Sequence, residues 1–368
     1  ISIGEYAFLC DFLERISIPS SVEKLGKGWF INGYQPTRIQ IIPNKKKNII
    51  NLNDLMIIGK SNKKCDIYDM IIIAKQNIKN VLIPNNIKQI CPYAFYHCKN
   101  IQSIVFEEKS ELKIIDENAF ESSSLKEITI PPHVVQIGKN SFQYCDKLAK
   151  IEFGNESKLE SIGESAFQST LLERILIPPN VKYIGKFAFS NCRKLEKIVF
   201  QNNYLRESAI KIGQNAFEYL LLKKIVFPRK QKMKNEIIPK KTFYSSSIEK
   251  IVLPSNIKLE KSWCKEISNL NKMLIFPNEK QNIKKWDNDY IIEKSNLNSN
   301  IFDVLIYARR DIEIAIIPPF IKTISSYSFQ DCIHLKEIKM SDKSELQVIG
   351  KNAFSKTAIE KIIISKRV

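Results

Sequence analysis

Short apolar segments recur along the whole chain at a nearly constant interval. Each follows the pattern L-x-x-I-x-I or L-x-x-I-x-F, as in LKEITI from Leu125, LAKIEF from Leu148 and LERILI from Leu172. Alternation of apolar and polar residues with a period of two predicts a β-strand with one buried face. About fourteen copies of roughly 23 residues can be aligned, a period typical of repeat architectures. This internal repeat dominates every other signal in the sequence.

The segments between the strands are as regular as the strands themselves. In one repeat type, Ile-Pro ends the strand and leads into V-x-x-I-G-x-x-A/S-F-x-x-C-x-x-L, and the proline stops the strand because it cannot donate to a ladder. The second type ends in Phe and reaches I-G-x-x-A-F through S-K-L or S-E-L, and the two types alternate. One glycine position requires either a positive φ or a close backbone approach. It is occupied by Gly138, Gly163, Gly185, Gly213 and Gly350.

Each repeat is too small to bury its own apolar face. Stacking neighbouring repeats joins these faces into one continuous core, which is the arrangement of a solenoid. The Ala-Phe or Ser-Phe pair supplies one small residue and one large ring to each layer, consistent with packing inside the stack. The pattern therefore predicts a single solenoid over residues 1–368.

Two segments interrupt the repeat, and they match each other. Residues 43–78 align without a gap onto residues 277–312, with 15 of 36 positions identical and an offset of 234. Each reads as two apolar strands around a polar loop, which predicts hairpin-like inserts at about 44–77 and 278–311.

The stretch LERILIPPNVKYIGKFAFSNCRKL, from Leu172 to Leu195, resembles the hallmark repeat of the BspA-type leucine-rich repeat family, also called the treponemal class. The alternating second repeat type and the IYARRDI insert look like the large protozoan surface-protein branch of that family. The resemblance implies an α/β leucine-rich-repeat solenoid, curved like a horseshoe, with a parallel sheet on the concave side and short helices or turns on the convex side. It also implies cell-surface adhesion or host-protein binding, with no enzymatic activity.

One stretch has residue types that could serve catalysis or bind metal. IPPHVVQIGKNSFQYCDKL brings His133, Cys145 and Asp146 together, as in a thiol catalyst or a metal site. The repeat does not retain the histidine or the aspartate, which makes both variable surface residues. The cysteine, by contrast, recurs at one position as Cys98, Cys145, Cys192 and Cys332. We therefore predict structural thiols, with no catalytic residue, metal or cofactor.

Disulfide bonds along this cysteine position are excluded by distance. Strands of neighbouring layers lie about 4.8 Å apart, so equivalent cysteines two layers apart are separated by about 10 Å. A disulfide needs a Cα separation of about 4.4 to 6.8 Å. The sequence alone does not exclude a disulfide bond between Cys91 and Cys98.

The solvent-facing strand position between the two core isoleucines is the candidate partner-binding surface. Apolar area bordered by charge is typical of protein interfaces, although β-propensity alone would also place Val there. The candidates on the concave face are Val105, Thr129, Glu152, Leu176, Val199, Val226 and Val252, with Arg174 and Lys197 beside them.

The chain is basic, with a formal net charge of +18 and a pI near 9.4. This charge could favour acidic partners, but the preferred interpretation is that the lysines keep the surface soluble, because many lie beside Glu or Asp, as in Lys126-Glu127. Nucleic acid is disfavoured because aromatic residues do not recur on the solvent-facing strand positions. The densest basic stretch gives a candidate patch of Arg229, Lys230, Lys232, Lys234, Lys240 and Lys241.

The sequence leaves the compartment of the protein open. No run of eighteen or more apolar residues is present, so no membrane span is predicted within this chain. The chain begins without Met and inside a repeat, which suggests a fragment. A cell-surface or secreted location follows from the family resemblance, with a cytoplasmic location as the alternative.

Together these patterns predict a non-enzymatic protein-binding or adhesion module that presents its concave sheet to a macromolecular partner, possibly a host or cell-surface protein, and has no small-molecule substrate. The alternative is an intracellular or self-associating structural scaffold.

Overall fold

A computed structural model describes residues 1–10, 13, 15–31, 38–201, 210–227, 237–267, 269–276 and 281–362. The chain divides into two compact units, Ile1–Cys192 and Arg193–Val368. Each unit consists of stacked coils built from short strands and turns. Each unit is described by itself below.

Unit 1 has strands of two lengths, which alternate over most of its sequence. They are β1 (Ser2–Ile3), β2 (Arg15–Pro19), β3 (Lys24–Leu25), β4 (Arg38–Ile42), β5 (Ile49–Leu52), β6 (Met56–Gly59), β7 (Met70–Ala74), β8 (Asn80–Ile83), β9 (Gln89–Ile90), β10 (Ser103–Phe106), β11 (Ile114–Ile115), β12 (Glu127–Ile130), β13 (Gln136–Ile137), β14 (Lys150–Phe153), β15 (Ser161–Ile162), β16 (Arg174–Ile177) and β17 (Tyr183–Ile184).

Unit 2 repeats this arrangement. Its strands are β18 (Lys197–Phe200), β19 (Lys211–Ile212), β20 (Lys224–Val226), β21 (Ile237–Ile238), β22 (Lys250–Pro254), β23 (Lys258–Leu259), β24 (Lys272–Phe276), β25 (Ile283–Trp286), β26 (Tyr290–Glu293), β27 (Val304–Ala308), β28 (Ile314–Ile317), β29 (Thr323–Ile324), β30 (Glu337–Met340), β31 (Val348–Ile349) and β32 (Lys361–Ile362).

The longer strands carry the period-two pattern that the sequence predicts. In β12, Ile128 and Ile130 are buried while Glu127 and Thr129 are exposed. β12 pairs with β14 in parallel, and Ile128 lies opposite Ile151. A second ladder of two-residue strands runs through β9, β11, β13, β15 and β17, again in parallel. The two ladders enclose the apolar core of each coil.

Stacked phenylalanine rings run through the core of unit 1. The rings of Phe95, Phe120, Phe142, Phe167 and Phe189 stack face to face, with centroids 4.9 to 5.4 Å apart and interplanar angles of 9 to 12°. All five side chains are fully buried. The ring spacing is close to the separation of adjacent strands, so each coil adds one ring to the column.

The described residues contain no helix, which corrects the α/β class and the short convex helices expected from the resemblance. The side of the coil opposite the longer strands consists of turns instead. The N–H groups of Asn118, Phe120 and Ser122 donate to carbonyls of the next coil at 2.7 to 2.9 Å, so they are unavailable for helical bonds. Asn118 and Ser122 also have φ of 57° and 58°, a left-handed conformation that ends any right-handed helical turn.

The recurrent glycine position is explained by close packing. Gly138, Gly163, Gly185 and Gly350 do not have a positive φ, which removes that alternative. A Cβ added at Gly163 would lie 2.5 Å from the backbone carbon of Gly138 in the preceding coil. At Gly163 the missing side chain therefore lets the two coils approach this closely.

Each insert forms three antiparallel strands that join the inner ladder. In unit 1, β5, β6 and β7 form this meander, and β7 then pairs in parallel with β9. β25, β26 and β27 repeat the arrangement in unit 2, where β27 pairs with β29. A buried aspartate closes the long loop in both copies: Asp69 accepts hydrogen bonds from the backbone and hydroxyl of Ser61, and Asp303 does the same with Ser295.

We predict that Gly163→Ala lowers the free energy of unfolding by about 2 kcal/mol, because the new methyl group collides with backbone that cannot move without separating the coils. Gly4→Ala is the matched control, since a Cβ there meets no atom within 4 Å. Urea unfolding followed by circular dichroism measures both variants. Equal stability of the two variants would contradict the close-packing explanation.

Candidate functional site

The solvent-facing side of the longer strands, called the outer face below, carries exposed apolar side chains in unit 1. The side chains of Leu82, Val105 and Leu176 are 58%, 56% and 45% exposed, although all three are apolar. Thr129 and Glu152, at the same position on β12 and β14, are also exposed. Parallel register places Thr129 beside Glu152, and Val105 beside Leu82. These predicted site residues therefore share one face of the unit.

Unit 2 does not continue the exposed apolar stripe as the sequence predicts. Val199 and Val226 are half-buried, and Val252 is only 3% exposed. Val252 lies in register between Val226 and Leu274, so apolar neighbours flank it on both strands. The remaining predicted residues of this face are solvent-exposed, with Arg174 in unit 1 and Lys197 in unit 2.

Sequence reasoning missed two exposed isoleucines on β28 in unit 2. Ile314 is 47% and Ile316 is 65% exposed. Their segment, IEIAII, has Ala315 where the repeat pattern has Ile, and it aligns only weakly. In the alignment, Ile316 occupies the solvent-facing position between the two core residues of this segment. Including this weak repeat among the candidates would therefore have identified Ile316.

The predicted basic patch falls largely outside the described residues. The structure does not describe four of its members, Arg229, Lys230, Lys232 and Lys234. Lys240 and Lys241 are described, and both are exposed. The amino group of Lys241 lies 5.6 Å from the ring centre of Tyr244.

In unit 1 the pairing of the outer-face strands alternates with the repeat length. Across the shorter step of the repeat, consecutive strands pair in parallel, as Asn80 does with Ser103 and Glu127 with Lys150. The step from Ser103 to Glu127 is longer, and β10 and β12 belong to different sheets. The same holds for the longer step between β14 and β16. The outer face of unit 1 therefore has seams where the inner ladder is continuous.

A groove of about 560 Å³ opens at the first of these seams. It is lined by the outer-face residues of β10, β12 and β14, including Val105, Thr129 and Glu152, and by the loops that follow β10 and β12. Pro131 and Pro132 form part of the second loop. The seam thus brings three of the predicted site residues into one concave surface.

The groove is locally acidic on a strongly basic protein. Four glutamates and two lysines are among its lining residues. Glu107 accepts the backbone N–H of Asn85 at 3.0 Å, and Lys150 pairs with Glu152 at 2.9 Å, which raises the pKa of the lysine. Glu108 and Glu127 form no ion pair with any described residue, so their charges face solvent.

The recurrent cysteines lie in the core, away from the outer face. Cys98, Cys145 and Cys192 are fully buried, and burial raises the pKa of each thiol, to about 12 for the first two and about 11 for the third. The thiol of Cys145 donates to the carbonyl of Phe120 at 3.0 Å. His133 is exposed on the groove, whereas Cys145 is buried, so they do not form a nucleophile and base pair.

All eight cysteines are free, so Cys91 and Cys98 do not form a disulfide. No group of three potential metal-binding His, Cys, Asp or Glu residues occurs in the described parts of the chain. Within those same parts, no helix has the length and hydropathy to cross a membrane.

The chain matches the family model described as the BspA type leucine rich repeat region. Six copies fall within residues 1–53, 67–196, 194–307 and 292–368. These ranges cover nearly the whole chain, so the match rests on the repeat itself. Among curated protein sequences, none matches this chain.

Solved structures with a similar fold are bacterial leucine-rich repeat proteins. One from Bacteroides ovatus ATCC 8483 is 20% identical, with a TM-score of 0.54 over 97% of this chain and 80% of that chain. The pneumococcal vaccine antigen PcpA is 20% identical, with a TM-score of 0.50 over 88% of this chain and 72% of that chain. A leucine rich cell surface protein from Faecalibacterium prausnitzii A2-165 is 19% identical, with a TM-score of 0.49 over 87% and 75%. The first two show the solenoid fold of stacked coils.

We predict that only Cys10 and Cys65 react rapidly with a thiol reagent such as Ellman's reagent at pH 8, because both are exposed. The four recurrent cysteines and Cys264 should react only after urea unfolds the chain, since buried protonated thiols are poor nucleophiles. Cys65→Ser is the control and should remove one fast equivalent. Rapid labelling of Cys145 in the folded protein, detected by peptide mass spectrometry, would contradict the structural role.

Proposed function

Because this chain belongs to the BspA-type leucine-rich repeat family, we propose that it is a non-enzymatic module that binds a partner protein through the outer face of unit 1. The observation that carries this proposal is the seam groove, where Val105, Thr129 and Glu152 meet on one exposed concave surface. A role in protein interaction is consistent with the BspA-type leucine-rich repeat family.

The groove has the anatomy of a protein interface. Its apolar lining includes the exposed Val105 of β10 and the two prolines of the loop that follows β12. Glutamates and lysines surround this centre. An apolar centre with a polar rim is how protein interfaces are built, because the rim excludes water from the contacts that contribute most to affinity.

The charge of the groove indicates the partner surface. A cationic segment of the partner would place its Lys or Arg groups near Glu108 and Glu127, which have no ion-pair partner among the described residues. The aliphatic stems of these side chains would pack on Val105 and Pro132. Because the rest of the protein is basic, the acidic groove would also set the orientation of the encounter.

Binding here requires no rearrangement of the coils. The strands that carry the groove are held by the inner ladder and by the stacked rings of the core. A pre-formed surface loses little conformational entropy on binding, which favours affinity. The proposal includes adhesion at a cell surface, as the family resemblance implies.

We predict that Val105→Arg weakens partner binding at least tenfold, because it places a charge in the apolar centre and repels a cationic partner. The fold should tolerate this change, since the Val105 side chain is 56% exposed. Val135→Arg is the matched control, because Val135 is 36% exposed and does not line the groove.

The partner is first identified with a photoreactive benzoyl-phenylalanine at position 105 or 129, with position 135 as the control, in cells that produce the protein. Biolayer interferometry with the purified partner then compares the two arginine variants. Equal binding by Val105→Arg and Val135→Arg, or crosslinks only from position 135, would place the partner elsewhere.

A further inference from the structure

One position in the repeat changes character only before the inserts. The residue preceding the core Phe is small in most coils, where it is Ala, Ser or Thr, as at Ala94, Ser141 and Thr242. In the coil directly before each insert this position holds tryptophan, Trp29 before Phe30 and Trp263 before Cys264, and the two tryptophans are related by the same offset of 234 as the inserts. Both tryptophans are buried, at 4% and 2% exposure.

The inserts interrupt the inner ladder at these coils. β3 pairs with β1, and β23 pairs with β21, but neither pairs with the meander that follows it. The tryptophan fills part of the space that opens between the coil and the meander. The rest forms a cleft in each unit, of about 320 Å³ in unit 1 and about 660 Å³ in unit 2.

The two clefts are equivalent in sequence as well as in position. Five lining residues are identical at the offset of 234, and they form two groups. An apolar floor contains Leu25 and Leu259, Trp29 and Trp263, and Ile72 and Ile306. The lysines are Lys27 and Lys261 on the coil, and Lys60 and Lys294 on the meander.

The lysines differ in their partners between the two clefts. In unit 1, Lys27 pairs with Glu117 at 2.6 Å and Lys60 pairs with Asp66 at 2.7 Å. In unit 2, neither Lys261 nor Lys294 lies within 4.0 Å of a carboxylate from any described residue. Lys240 and Lys258 add two further cations to the lining of this second cleft. Its acidic lining residues are Glu260 and Glu293. The second cleft therefore has positive charge that the described chain does not neutralise.

We propose that the cleft of unit 2 binds an acidic segment of a protein partner that carries an apolar residue beside its carboxylates. The apolar residue would contact the floor of Leu259, Trp263 and Ile306, and the carboxylates would pair with Lys261 and Lys294. The volume is in the range of protein ligand sites. Trp263 contributes the largest apolar side chain of this floor and is held in place by burial, at 2% exposure.

Glu293 would make this binding depend on pH. It lies in the cleft, and burial raises its pKa to about 7, although Lys258 acts in the opposite direction. The other charged groups that line the cleft are Lys240, Glu260, Lys261 and Lys294, and the lining residues of β27 and β29 carry no charge. Above pH 7 the ionised Glu293 competes for the lysines. An acidic ligand should therefore bind more tightly as the pH falls from 8 to 6.

The test uses the full chain and two acetylated six-residue peptides. One has Leu-Phe between two pairs of Glu, and the other replaces each Glu with Gln. Isothermal titration calorimetry at low salt should show one site for the acidic peptide and at least tenfold weaker binding of the Gln peptide. Lys261→Glu with Lys294→Glu should reduce binding of the acidic peptide at least tenfold.

Lys336→Glu with Lys351→Glu is the matched control, because it changes the net charge of unit 2 equally at two exposed lysines that do not line the cleft. Glu293→Gln should abolish the change in affinity between pH 8 and pH 6. Equal binding of the two peptides, equal loss in both double variants, or no saturable binding would each overturn the proposal. None of these outcomes bears on the groove of unit 1, which is tested separately.

Discussion

The fold of each unit depends on the close spacing at which successive coils stack. Backbone hydrogen bonds between coils require adjacent strands to lie about 4.8 Å apart. Phe120 and Phe142 stack with centroids 5.0 Å apart, and a Cβ at Gly163 would overlap the preceding coil. Because one distance must suit the ladders, the rings and the glycines together, most coils repeat the same residue types at these positions.

The same constraint explains where surface features arise. In unit 1 the longer steps of the repeat keep the inner strands in register, but β10 does not pair with β12 and β14 does not pair with β16, and seams result. An insert has a larger effect, because three antiparallel strands separate one coil from the next in the inner ladder. The groove of unit 1 and the two tryptophan clefts all lie at such departures from the regular stack. Binding surfaces in this protein thus follow from local interruptions of the repeat.

The core and the surface use the repeat differently. Cys145 and Phe142 recur because each occupies a closed space with neighbours in adjacent coils. His133 and Glu152 vary because solvent accommodates any side chain at their positions. A residue retained in most coils therefore indicates packing, whereas residues confined to the coils before the inserts, such as Trp29 and Trp263, are better candidates for binding.

The sequence alone determined the repeat, the core positions, the structural role of the cysteines and the family, because each depends on a pattern copied many times. It could not show that turns replace the convex helices, since that depends on which coil accepts the N–H of Phe120. Nor could it show that Val252 is buried while Ile316 is exposed, or that Trp29 and Trp263 each line a cleft. These features depend on contacts between residues far apart in the chain, and only the tertiary structure brings those residues together.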